Sequence, residues 1–124
     1  MIALDSSALI AYLQGESGGV PDAVEVVLAG HQACLPPVVL TEVTSDPKVG
    51  ARVLTLVAGL PLLTVGDGYW ARAGELRRRV LSRGHKARLA DTLIAQSCLD
   101  HDVQLLTADR DFQRFARATG LRLA

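Results

Sequence analysis

Four carboxylates, Asp5, Glu42, Asp91 and Asp109, stand where an acid invites a chemical reading. Asp5 follows the apolar run Met1–Leu4, and Asp109 comes just past the apolar Val103–Leu106. Asp91 lies at the start of a helical phrase, and Glu42 sits inside Val38-Val39-Leu40-Thr41-Glu42-Val43, where a core residue is expected. Drawn together, such acids repel, and each resists ionisation unless a cation compensates. Mg2+ and Mn2+ prefer hard oxygen ligands and keep several waters. Held by carboxylates, either ion can acidify a water and stabilise the charge that builds as it attacks a phosphodiester. On this reading Asp5, Asp91 and Asp109 bind the metal directly. Glu42 ligates it or positions the attacking water.

Residue by residue, plainer roles compete. Asp5, Asp91 and Asp109 each suit a helix cap, and Glu42 alone suits a solvated helix face. Only their joint placement favours a site. Asp111 reads as a first-turn acid favoured by the helix dipole, able also to lend a water-mediated contact. Ser6 and Thr107 either cap helices or hold a metal-bound water. His31, His85 and His101 lack paired metal spacing, and His101 reads as a helix end. Tyr69 and Trp70 read as helix packing or an interface.

The elements that must position these acids alternate along the chain. Strands are expected at Met1–Leu4, Ala33–Leu35, Pro61–Val65, Val103–Leu106 and Leu121–Leu123. Between them run helical phrases: Ala8–Leu13; a helix opened by Pro21-Asp22 and closed by Gly30; Val38–Thr44; the stripe Val49, Val53, Leu56, Leu60 behind Pro47; Tyr69 to near Gly84; the stretch after Arg88; and Asp109–Ala118. This order predicts an α/β fold, a mostly parallel sheet with helices on both faces. Ligands then gather at the carboxyl ends of the strands, where Asp5 and Asp109 fall.

The 124 residues suit a single domain spanning 1–124, with no linker or repeat. At 49% hydrophobic and 21% charged, the composition excludes an extended disordered chain. Net charge is zero, which argues against a polycation, and the 4% aromatic content offers few rings for stacking bases. Setting the four acids aside leaves the remainder at +4, and Arg72–Arg88 holds six Arg and one Lys against Glu75. Within it, Arg77, Arg78, Arg79 and Lys86 form a basic face that either contacts RNA or a partner or is simply solvated. Cys34 and Cys98 lack zinc-knuckle spacing and read as free thiols of a reducing cytoplasm. The opening lacks a basic leader region and no stretch suffices for a membrane span, so a cytoplasmic protein is expected.

Taken together, Leu4-Asp5-Ser6-Ser7-Ala8-Leu9, Thr41-Glu42-Val43, Ala90-Asp91-Thr92-Leu93-Ile94-Ala95 and Leu105-Leu106-Thr107-Ala108-Asp109-Arg110-Asp111-Phe112 resemble the PIN domain, and within it VapC-type toxins of bacterial toxin–antitoxin pairs. The resemblance covers nearly the whole chain in order. It implies a three-layer α/β/α sandwich and a Mg2+- or Mn2+-dependent endoribonuclease. Its acids would be Asp5, Glu42, Asp91 and Asp109, supported by Thr107 and Ser6. It further implies a homodimer and a cognate antitoxin that occludes the acidic site. Residues 45–84 carry no matching motif.

Three other functions fit less well or differently. A catalytically silent PIN-like module would bind RNA or protein and cleave nothing; all four acids being present weighs against it. A phosphoacceptor receiver domain needs a lysine after a late strand, and Lys48 and Lys86 are the only lysines. An Asp-x-Asp phosphatase is disfavoured because Ser6-Ser7 follows Asp5.

Overall fold

A computed structural model describes residues 1–124. Its sheet has three parallel strands in the order β2-β1-β3, with β1 (Ile2–Leu4) central, β2 (Ala33–Cys34) on one side and β3 (Gln104–Leu106) on the other. Ile2 pairs with both Ala33 and Gln104. Seven helices pack about this sheet as an α/β sandwich: α1 (Ser6–Leu13), α2 (Gly19–Ala29), α3 (Pro37–Thr44), α4 (Ala51–Ala58), α5 (Tyr69–Ser82), α6 (Leu89–His101) and α7 (Phe112–Ala118). No helix is long and apolar enough to cross a membrane.

The alternating order expected from the sequence is observed, with strands trimmed at both edges. Pro61–Val65 is not a strand but a single parallel bridge, Leu35 to Leu62. Pro61 has no N–H to donate, and its carbonyl accepts from the Leu35 N–H at 2.9 Å. Leu121–Leu123 is likewise one bridge, Leu105 to Leu123. The expected sheet of five tracks is present with only its three inner ones continuous.

Helix starts also shift, α1 and α2 two residues earlier, at Ser6 and Gly19, and two others later. Pro47 does not open a helix; residues 46–49 form a turn and α4 begins at Ala51, where Gly50 leads in with extended backbone. Val49, Val53, Leu56 and Leu60 still rest against the core as the stripe requires. The turn after β3 holds Asp109 through Asp111, so α7 begins at Phe112 rather than Asp109.

The core joins Ala3, Leu4, Leu105 and Leu106 of the sheet to Leu9 and Val24 on one run of helices and Ile94, Phe112 and Phe115 on another. Buried leucine- or phenylalanine-sized side chains each contribute about 1.5–3 kcal/mol, so the strand ends are anchored from several elements. Gly84, at φ +81°, takes the left-handed conformation that lets α5 stop. The chain then turns into α6 and delivers Asp91 to the carboxyl edge of the sheet. Cys34 and Cys98 are both buried as free thiols, as expected.

Candidate metal centre

Asp5 takes the cap role that competed with its chemical one. It is the N-cap of α1, with Oδ1 accepting from the Ala8 N–H at 2.9 Å. Its other oxygen faces the β3–α7 turn, where the Thr107 hydroxyl donates to Oδ2 at 2.6 Å. Ser7 Oγ donates to Oδ1 at 2.8 Å and accepts from the Ala108 N–H at 3.0 Å. Thr107 Oγ1 in turn accepts from the Asp109 N–H at 3.0 Å. Two hydroxyls thus tie the end of β1 to the end of β3. Burial raises the Asp5 pKa, the hydroxyl and amide donors pull it back, and the Asp109 charge adds to the rise.

Across from Asp5, one ligand oxygen each from Asp91, Asp109 and Asp111 lies within 4.8 Å of the others. Asp91 reaches this point from the first turn of α6. Asp109 and Asp111 come from the β3–α7 turn, folded back by the Asp111 N–H donating to Asp109 Oδ1 at 2.9 Å. Burial, then the charge of Asp109, raises the Asp91 pKa to about 6; Arg88 opposes this, and Asp111 and Asp5 add to it.

Glu42 extends inward from α3. Its Oε1 is buried and has no hydrogen-bond partner. Burial raises its pKa first, followed by the charges of Asp91 and Asp5. Buried polar atoms are rarely left without partners, so this orphaned oxygen aimed among acids fits a cation or a cation-bound water. So does a donor set made wholly of carboxylate oxygens, the ligands hard divalent ions prefer.

The charges of Asp5, Glu42, Asp91 and Asp109 thus act on one another at the carboxyl edge of the sheet. The tightest trio, however, is Asp91, Asp109 and Asp111 rather than Asp5, Asp91 and Asp109. Asp111, expected as a first-turn acid, stands directly among the carboxylates. It makes no capping hydrogen bond to α7. Thr107 supports Asp5 as expected. Ser6 does not; Ser7 does, while Ser6 lines a cleft beside Glu42. The signal for Ser7 lay in the cap geometry, since the second helical residue turns its side chain back toward the N-cap.

The basic face also divides. Arg77 is half-buried, and its Nε donates to the Ala87 carbonyl at 2.8 Å. Arg78 and Lys86 are exposed. Arg79 lines a separate cleft with Arg72 and Gln96. Adjacent residues lie about 100° apart on a helix, so the three arginines point in different directions round α5. Arg88, not singled out from the sequence, carries the positive charge bearing on Asp91. His101 does end α6.

The family model for the PIN domain matches residues 2–118. Among solved structures, the chain is similar to one from VapBC2 of Rickettsia felis bound to a promoter DNA fragment, with a TM-score of 0.77 and 19% identity over 100% of this chain and 98% of that one. It is also similar to one from FitAcB of Neisseria gonorrhoeae, with a TM-score of 0.65 and 18% identity over 99% and 96%. A third, from FitAB bound to an IR36 DNA fragment, gives 0.64 and 19% over 100% and 94%. No curated protein sequence matches the chain.

Proposed function

The chain belongs to the PIN domain family, and from that premise we propose that it is a metal-dependent endoribonuclease, the toxin of a VapBC-type toxin–antitoxin pair. The observation that carries this reading is the meeting of Asp91, Asp109 and Asp111 within 4.8 Å, with Asp5 and the unpartnered Glu42 close enough for their charges and that of Asp91 to act on one another. The structural neighbours from VapBC2 and FitAB assemblies support the toxin assignment. On this reading residues 1–124 work as one domain in the cytoplasm, as a homodimer bound by its cognate antitoxin until released.

Asp91 and Asp109 would hold Mg2+ or Mn2+, with Asp111 or Asp5 completing the set. A bound ion would neutralise the crowded carboxylates and lower the pKa of a coordinated water. The chain's own groups do the rest. Ser7, Thr107 and the Ala8 amide lock the Asp5 carboxylate in one orientation, so it needs no reorganisation as charge develops. Glu42 Oε1, desolvated and without a donor, accepts the proton that the attacking water releases. Burial raises the basicity of Glu42 toward the working range of a general base.

Incubation of the purified chain with single-stranded RNA and Mg2+ or Mn2+ is the direct test. Cleavage should stop in EDTA and in Asp91→Asn, with the variant's circular dichroism unchanged. Persistent cleavage in either case overturns the proposal. A folded, antitoxin-binding protein that cleaves no RNA would instead be the silent binding module.

A further inference from the structure

Positive charge on the α5–α6 edge is left without counter-ions. Of the six arginines between Arg72 and Arg88, Arg72 pairs with Asp100 at 2.6 Å. No carboxylate comes within ion-pair distance of Arg77, Arg78, Arg83, Lys86 or Arg88. Gly74, Arg77, Arg78 and Leu81 follow the i, i+3, i+4, i+7 spacing of one helical face. With Ser82 and with Leu89 of α6 they line a groove of about 560 Å3.

Two features of this groove have no use inside the chain. Leu81 and Leu89 are 45% and 62% exposed. Gly74 lies in the interior of α5, where glycine is the poorest helix former after proline, yet a Cβ there would meet nothing within 4 Å. Internal packing therefore does not demand glycine at that place. A bare helix backbone between arginines and leucines suits something that approaches from outside.

We propose that this groove is a binding subsite for single-stranded RNA flanking the cleaved phosphate, with Arg77 and Arg78 on backbone phosphates and a base seated over Gly74, Leu81 and Leu89. The inference rests on the ribonuclease reading above and names where that substrate runs. The Arg77 Nε bond to the Ala87 carbonyl holds its guanidinium over the α5–α6 connection. Arg88, the next residue, places positive charge beside Asp91. Leu89 and Asp91 share the first turn of α6, about 3 Å apart along its axis and about 200° apart around it, so the subsite and the acidic centre flank opposite sides of one helix end. A second copy is a poor occupant, because an isologous contact would set like charges face to face. An acidic peptide is the remaining alternative.

Gly74→Leu and Arg78→Ala test this in the intact chain, since neither residue belongs to the acidic centre. With Mg2+ and a short single-stranded oligoribonucleotide, each should raise KM about fivefold to tenfold and leave kcat unchanged. With Ca2+ replacing Mg2+, Arg78→Ala should flatten the dependence of log affinity on log salt by about 0.7. Gly74→Leu should melt no lower than wild type, so its defect would not be one of folding. If wild type cleaves RNA and both variants keep its KM, the subsite is wrong and the ribonuclease reading stands. If the variants keep KM but lose an acidic partner peptide, the groove is a protein interface and the proposal fails. A wild-type chain that cleaves no RNA overturns the ribonuclease reading and the subsite with it.

Discussion

Each acid in the centre has a separate physical environment, and that difference sets its expected role. Asp5 is saturated with donors, Asp91 is half-buried among other carboxylates, and Glu42 is desolvated with one oxygen unpartnered. A donor-saturated carboxylate is held rigidly, whereas an orphaned one is free to take a proton. Glu42→Gln keeps the shape and removes that capacity. Single-turnover cleavage should fall by about 10²-fold or more, the usual contribution of a positioned base. Metal affinity, read by isothermal titration calorimetry, should change much less than in Asp91→Asn. Equal losses of metal binding in the two variants would make Glu42 a ligand rather than a base.

At the level of elements, the hydroxyl pair Ser7 and Thr107 couples β1 to the turn after β3. Ser7→Ala removes a donor from Asp5 and leaves the Ala108 N–H without its acceptor. That should destabilise the fold by about 1–2 kcal/mol and weaken Mg2+ binding, because the Asp109 turn loses a tether. Ser6→Ala, one residue earlier, should stay within about 0.5 kcal/mol of wild type; chemical denaturation compares them directly. The pair also marks how far the sequence could be read. Asp5, Asp91 and Asp109 were legible because strand ends and a helix start are visible in apolar patterning. Asp111 was legible only as a supporting acid and Ser7 not at all, since their directions depend on a turn and a cap whose backbone angles patterning does not specify. The edge strands at Leu62 and Leu123 were legible in place but not in extent. With one neighbour each, they gain too few ladder bonds to extend beyond a single bridge. The triple arginine was legible as charge but not as direction, because its members diverge round α5.

Across the whole molecule, folding forces like charges together, so stability and metal binding must be linked through pH. The Asp91 pKa is about 6 in the fold against an ordinary 3.8, and burial and neighbouring acids also raise Asp5 and Glu42. A raised carboxylate pKa means the folded state holds the proton more tightly than the unfolded state does. Between about pH 4 and 6 the native chain therefore binds more protons, and its stability falls as pH rises through that window. Asp100, lowered by Arg72, has the opposite sign, but its effect is lost only near and below its ordinary 3.8. In EDTA the melting temperature should thus climb on going from pH 7 to pH 5. Mg2+ should reverse the trend, because it binds the ionised carboxylates and competes with their protons. At 100 times its dissociation constant the ion would add about 2.7 kcal/mol at pH 7 and distinctly less at pH 5. Differential scanning fluorimetry of wild type and Asp91→Asn measures both effects. The variant should lose most of the metal response and part of the pH slope. A metal-free melting curve that is flat from pH 7 to 5 would mean that the acids do not crowd as the structure has them.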